Sequence, residues 1–258
     1  NFKMSYDELK AQVRKAPNML DRYDALVALR DVDVEKKREL LMEVFRNETF
    51  HAIKSEVITQ LINDEVTNYQ LLSVFEEKEP QNKLAFLKNY TGNNTLCIIA
   101  FSKALQDPSY DVVQAAVEKL CKIDAVNAAR YLAVVKDVYG MNNSVNIKYH
   151  ELSVINGIDA EIHRNALINY ASNQWEFRTR NNTFAALKAT GTFSTTLIPH
   201  LFDALLSTNG RLAGPASECA NYFAQQASNL KAMQEFMAKQ NYTSAQKALI
   251  TGYMPTLK

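Results

Sequence analysis

Apolar residues recur along most of the chain at the three- and four-residue spacing of amphipathic helices. Beyond Tyr110 they share one helical face, at Val113, Ala116, Val117, Leu120 and Cys121. A second apolar stripe precedes them, and the segment Gln106–Tyr110 separates the two. Pro108 cannot continue the first helix, while Asp107 or Ser109 can cap the second. The pattern predicts a helical hairpin over Leu96–Leu120.

The same hairpin pattern occurs twice more, over residues 40–61 and 162–187. Each copy has an aromatic residue at the start of its second helix, and these are Phe50, Tyr110 and Trp175. We expect all three to be mostly buried between the two helices of their own hairpin. Their nearly equal spacing predicts stacked hairpins that bury their apolar stripes against one another.

Weaker helical patterns fill the rest of the chain. They lie near residues 67–90, 125–138 and 145–156, and later over Thr195–Leu206, Ala216–Gln226, Leu230–Lys239 and Ser244–Tyr253. Val145, Ile147 and Tyr149 alternate with polar residues as in a strand, but no partner strand is visible, so we assign a helix there too. The predicted fold is all-α, an α-α superhelix of stacked HEAT-like helical hairpins. Because no Gly-, Ser- or Pro-rich linker divides the chain, we expect one domain over residues 1–258.

Composition narrows the classes of function. Seven glycines and six prolines in 258 residues favour long helices and short loops. The net charge of +1 gives no positive field for nucleic acid or an anionic membrane, and no apolar stretch approaches membrane-spanning length. Cys97, Cys121 and Cys219 form no C-x-x-C pair, so they are interpreted as small buried apolar residues. A soluble protein follows, in either the cytoplasm or the periplasm.

Two segments resemble known families. The hairpin Leu96–Leu120, with Leu105–Val113 (LQDPSYDVV) at its turn, resembles a HEAT or HEAT-like repeat. The segment Gln12–Leu26 (QVRKAPNMLDRYDAL) resembles the entry into the C-terminal helical domain of aminopeptidase N-type zinc metallopeptidases. That resemblance implies a fragment of a larger zinc aminopeptidase whose catalytic domain lies upstream in the same polypeptide. The chain would then roof the active-site cavity, limit peptide access and contact peptides there.

The resemblance also implies that zinc belongs to the parent enzyme and not to this chain. The family holds zinc with H-E-x-x-H, in which two histidines share one face of a helix. Here His150-Glu151 is followed by Val154 where the second histidine is required. Gly140–Asn143 echoes the family's G-x-M-E-N motif but lacks its glutamate. We therefore expect no cofactor and no catalytic residue in this chain, and we expect its four histidines to lie on the surface.

Arg180 is the candidate substrate-binding residue, because it lies on the apolar stripe between Phe177 and Phe184. A buried guanidinium needs a carboxylate or a water-filled cavity, so either Asp203 or a bound substrate would partner it. Lys54, Gln114 and Arg178 occupy the position from which HEAT-like hairpins often pair with an acid of the neighbouring hairpin. The alternative function is a free-standing HEAT-repeat scaffold that binds a partner protein.

Overall fold

The computed structural model describes residues 3–258, and helices are the only regular structure within that range. The predicted all-α fold of packed helical hairpins is therefore confirmed. Contacts divide the chain into two compact units, Asn1–Asn127 (unit 1) and Ala128–Lys258 (unit 2). The expectation of one domain over residues 1–258 stays a prediction.

Unit 1 contains four successive helical hairpins. Its helices are α1 (Tyr6–Lys15), α2 (Met19–Ala28), α3 (Val34–Asn47), α4 (His51–Leu61), a 3-10 helix (Asn68–Glu76), α5 (Gln81–Asn89), α6 (Thr95–Ala104), α7 (Tyr110–Ile123) and a short 3-10 turn (Ala125–Asn127). The second helices of the hairpins, α2, α4, α5 and α7, pack side by side in that order, and each first helix packs on its own second helix. This is the arrangement expected of stacked repeats, in which each hairpin buries its apolar face on its neighbours.

Local sequence explains where several of these helices begin. Ser5, Asn18 and Asn94 accept a hydrogen bond from a main-chain N–H in the first turn of α1, α2 and α6. These side chains satisfy donors that a helix start leaves unpaired. Between hairpins, the rings of Phe75, Phe86, Tyr90 and Phe101 pack with centroids 5.4–5.8 Å apart and join α5 to the first helices on either side.

Ion pairs join consecutive hairpins of unit 1 in a repeated pattern. A basic residue in the first turn of a second helix contacts an acid in the turn of the next hairpin in three cases. The pairs are Arg22–Glu48 at 2.6 Å, Lys54–Glu77 at 2.7 Å and Lys83–Asp107 at 2.7 Å. The predicted role of Lys54 in pairing neighbouring hairpins is confirmed.

Unit 2 is also built from hairpins. Its helices are α8 (Ala128–Val135), a 3-10 turn (Met141–Asn143), α9 (Ser144–Ile155), α10 (Ala160–Tyr170), α11 (Phe177–Thr190), a 3-10 turn (Thr195–Leu197), α12 (Ile198–Leu205), α13 (Gly210–Ala224), α14 (Ala227–Lys239), α15 (Ser244–Tyr253) and a 3-10 turn (Pro255–Leu257). Helix α11 packs between α9 and α13, and α10 packs on both α9 and α11. The segment that alternated like a strand is helix α9, as predicted.

Helix α13 begins at Gly210, six residues before the predicted start at Ala216. Asn209 caps it, and Pro215 lies inside it. A proline provides no N–H, so the main-chain carbonyl of Arg211 loses its helical partner. The side-chain amide of Asn181 on α11 donates to that carbonyl at 2.8 Å. A side chain from the neighbouring hairpin therefore replaces the main-chain hydrogen bond that the proline removes.

The prediction that the three repeated aromatic residues are mostly buried is wrong for two of them. Phe50 and Tyr110 are 49% and 51% exposed, and Trp175 is only partly buried. Phe50 directly precedes α4, and Tyr110 is the first residue of α7. Both therefore lie at the end of a hairpin and not between its helices. Trp175 lies just before α11, and the centroid of its ring is 4.9 Å from the centroid of the Tyr170 ring.

Candidate functional site

Arg180 is buried within unit 2, and main-chain and side-chain acceptors surround its guanidinium. Its Nε donates to the carbonyl of Ala171 at 2.9 Å, and its Nη2 donates to the carbonyl of His200 at 3.1 Å. Nη2 also lies 3.0 Å from Oδ2 of Asp203. The Arg180 side chain is 4% exposed and that of Asp203 is 45% exposed. Of the two partners considered for Arg180, the structure places Asp203 beside it.

The arrangement around Arg180 joins three elements. Ala171 follows α10, Arg180 lies in the first turn of α11, and Asp203 lies on α12. Burial lowers the pKa of Arg180, and the charge of Asp203 opposes that effect. Burial and the Arg180 charge also lower the pKa of His200. These contacts give Arg180 a structural role, and its contact with a substrate stays a prediction.

The expected surface positions of His150, Glu151 and His163 are wrong. Glu151 and His163 are buried and His150 is partly buried, because α10 packs directly on this face of α9. Glu151 accepts a hydrogen bond from Lys148 at 2.7 Å. The Nδ1 atoms of His150 and His163 lie 2.8 Å apart, which is hydrogen-bond distance.

The apolar residues Ile162, Ala166, Leu167 and Tyr170 predict a buried stripe on α10 that leaves out His163. The predicted stripe included Ile162, which is 68% exposed. The buried residues of that helix are His163, Leu167, Ile168 and Tyr170. Leu167 and Tyr170 are buried as predicted, but His163 and Ile168 take the buried positions expected for Ile162 and Ala166. Hydropathy alone does not predict a histidine in a core.

The residues of this chain do not fit a catalytic zinc. Such a site needs about three protein ligands that converge on one point. Within residues 3–258, no group of three or more His, Cys, Asp or Glu side chains is arranged to hold a metal ion. The ring centroids of His150 and His163 are 5.1 Å apart although the two nitrogens are 2.8 Å apart, so the rings meet end to end. The two Nδ1 atoms therefore point at each other and not at a shared ion.

A groove of about 510 Å³ lies on unit 1 between the neighbouring second helices α5 and α7. Three of its lining residues are apolar, and the other six are polar or carry a charge of either sign. The lining residues are Leu84, Leu87, Lys88, Asp111, Gln114, Ala115, Glu118, Lys119 and Lys122. Lys119 donates to the main-chain carbonyl of Tyr90 at 2.6 Å, and burial lowers its pKa. This lining is more polar than the mostly apolar pockets that bind small molecules.

The three cysteines are free and buried, as predicted. Burial raises the pKa of Cys121 to about 11 and that of Cys219 to about 12. Because the thiolate is the reactive form of cysteine, these side chains are inert packing groups at neutral pH.

No protein-family model matches this chain, and no curated protein matches its sequence. Within residues 3–258, no helix combines the length and the apolar character that crossing a bilayer requires.

Proposed function

We propose that this chain is the non-catalytic C-terminal helical-repeat domain of a zinc aminopeptidase. The observation that carries the proposal is the segment Gln12–Leu26, whose family-like residues organise the first hairpin. Gln12 Nε2 donates to the carbonyl of Asp21 at 2.7 Å and so joins α1 to α2. Arg22 then pairs with Glu48 and joins the first hairpin to the second. The residues that carry the resemblance are thus the ones that begin the helical array.

In this proposal the chain covers the active-site cavity of the enzyme and limits which peptides enter. The scissile bond is cleaved by the zinc-bearing domain, and no residue of this chain takes part in that step. A closed cavity excludes bulk water and folded proteins, which suits an enzyme that acts on short chains. The mixed charge along the groove between α5 and α7 suits a peptide, which carries a charge of each sign at its ends.

The first test is the full reading frame, followed by an association experiment. We expect an upstream H-E-x-x-H domain in the same polypeptide. When that domain and this chain are produced separately, they should associate as measured by analytical ultracentrifugation. A reading frame without a zinc peptidase motif, or two parts that do not associate, would contradict the proposal.

The groove on unit 1 also favours a second candidate, a free-standing HEAT-repeat scaffold for a partner protein. Repeat proteins commonly bind partners along the row formed by their second helices. Replacing Leu84, which is partly exposed in the groove, with Asp should then abolish partner binding in a pull-down and leave peptide hydrolysis by any co-expressed peptidase unchanged. If the substitution instead changes the peptide-length preference of an attached peptidase domain, the scaffold role is rejected.

A further inference from the structure

The His150–His163 pair joins two successive hairpins of unit 2. His150 lies on α9, the second helix of one hairpin, and His163 lies on α10, the first helix of the next. Their Nδ1 atoms are 2.8 Å apart. The ring of Tyr149 packs edge-on against His163, with centroids 5.2 Å apart.

The neighbours of the pair determine which ring nitrogens carry protons. Nε2 of His150 lies 3.1 Å from Oδ1 of Asn146, and this oxygen also accepts from the Tyr170 hydroxyl at 2.7 Å. An amide oxygen accepts only, so Nε2 of His150 is the donor. In a neutral imidazole the other nitrogen is then an acceptor, and Nδ1 of His163 donates to Nδ1 of His150. Nε2 of His163 is left as an acceptor.

The amide orientation of Asn146 has independent support. Its Nδ2 donates to the main-chain carbonyl of Lys136 at 3.1 Å, which places Oδ1 toward His150 and Tyr170. A chain of hydrogen bonds therefore runs from Tyr170 through Asn146 and His150 to His163. It requires at least one of the two imidazoles to be neutral.

Charged groups near the pair come from each element that packs on it. On α9, Lys148 pairs with Glu151, and on α10, Arg164 pairs with Glu161. On α11, Arg180 contacts Ala171 and Asp203. Two further carboxylates lie near this cluster and act on the neighbouring Tyr149. Asp137 follows α8, and Asp159 directly precedes α10. Asp159 acts on His163, where its charge partly opposes the effect of burial on the pKa.

We propose that the His150–His163 hydrogen bond is an acid-sensitive latch between α9 and α10, which closes the two hairpins at neutral pH and releases them when both imidazoles are protonated. The first added proton goes to Nε2 of His163 and leaves the Nδ1–Nδ1 hydrogen bond intact. The second must go to Nδ1 of His150, where it places two N–H groups and two positive charges against each other. The latch therefore opens only with the second proton.

The sign of the pH dependence follows from the direction of the shifts. Burial, followed by the charge of His163, lowers the pKa of His150 from 6.5 to about 4. Burial also lowers the pKa of His163. The released histidines then bind protons more tightly than the closed pair, so the closed state is favoured at neutral pH and weakens as pH falls from 6.5 toward 4. His150 alone shifts the equilibrium toward the open state by about two powers of ten over that range.

The intact chain contains its own reporter of the latch. Trp175 is the only tryptophan in the sequence, and its ring lies 4.9 Å from Tyr170, whose hydroxyl bonds Asn146. We expect the Trp175 emission of the full chain to change between pH 6.5 and 4 with a Hill slope above one. Nitrogen-15 NMR at pH 7.5 should show the protons on Nε2 of His150 and Nδ1 of His163.

The decisive variant is His163→Asn, which keeps a donor at the Nδ1 position but cannot take up a proton. The transition should then move to lower pH, because one released histidine instead of two takes up a proton, and its slope should fall to about one. His51→Gln in unit 1 should leave the transition where it is in the unaltered chain. Constant Trp175 emission from pH 7 to 4, or a His163→Asn titration identical to that of the unaltered chain, would overturn the latch. The latch would also be overturned if NMR of the unaltered chain showed His150 titrating near pH 6.5.

Discussion

At the scale of single residues, Arg180 shows how this chain accommodates a charge inside an apolar helix face. Two main-chain carbonyls and one carboxylate receive its N–H groups. Loss of the guanidinium would leave the carbonyls of Ala171 and His200 without these hydrogen bonds in a region where water has little access. A buried polar group without a hydrogen bond lowers stability by more free energy than a typical hydrogen bond contributes on balance.

Arg180→Met should therefore lower the free energy of unfolding by about 3–5 kcal/mol, measured by urea denaturation. The matched control is Arg178→Met two positions away, since Arg178 is exposed and stacks on Phe177; it should cost less than about 1 kcal/mol. Asp203→Asn should also cost less than about 1 kcal/mol, because that carboxylate is largely in solvent. Equal losses for the Arg180 and Arg178 variants would show that Arg180 is not a buried structural residue.

At the scale of helices, one side chain supports a proline within its neighbour. Pro215 has no N–H to donate to the main-chain carbonyl of Arg211. The side-chain amide of Asn181 on α11 donates to that carbonyl instead. A proline inside a helix typically costs about 3 kcal/mol relative to alanine. The hydrogen bond from Asn181 offsets part of that cost.

A double-mutant cycle tests this compensation. Asn181→Ala should lower the free energy of unfolding by about 1–2 kcal/mol when Pro215 is present. It should cost clearly less in the Pro215→Ala background, where the alanine N–H can bond the Arg211 carbonyl. The cycle is measured by thermal or urea unfolding of the four proteins. An equal cost of Asn181→Ala in both backgrounds would reject the coupling.

The ion pairs between hairpins of unit 1 differ in burial, which gives a graded prediction. Lys83 and Asp107 are 3% and 9% exposed, whereas the equivalent pair Lys54–Glu77 is more open to solvent. Lys83→Met leaves a buried carboxylate without its partner and should cost about 3–5 kcal/mol of unfolding free energy. Lys54→Met should cost about 1 kcal/mol or less. A larger loss for the Lys54 variant would contradict the burial seen here.

Local signals predict the hairpins and a few of the ion pairs between them, such as that of Lys54, but not the buried polar contacts between distant helices. Pro108 and the polar turn around it define the hairpin of α6 and α7 from neighbouring residues alone. The sequence alone does not predict that α13 begins at Gly210, because Pro215 indicates a helix break there. The hydrogen bond that replaces the one lost at Pro215 comes from Asn181, which is distant in sequence. The burial of His163 was missed because a polar side chain enters a core only when a partner, here His150, reaches it from another helix. The exposure of Phe50 follows from its position at a helix end, which hydropathy does not record.

At the scale of the whole chain, both units consist of helical hairpins, and the described residues bring no metal-ligand cluster together. The net charge is +1, and the groove between α5 and α7 carries both signs of charge. Under the proposed function, these hairpins shape access to a cavity and another domain carries the chemistry. A chain with that role should determine which peptide lengths the parent enzyme accepts.

The most direct test compares two forms of the proposed parent enzyme, one with this chain and one without it. For each form, kcat/KM is measured on a series of peptides from two to about twenty residues with the same N-terminal residue. We expect the enzyme with this chain to discriminate sharply by peptide length, and the form without it to lose that discrimination while retaining its zinc. If both forms show the same length profile, or if this chain alone hydrolyses the peptides, the central claim is wrong.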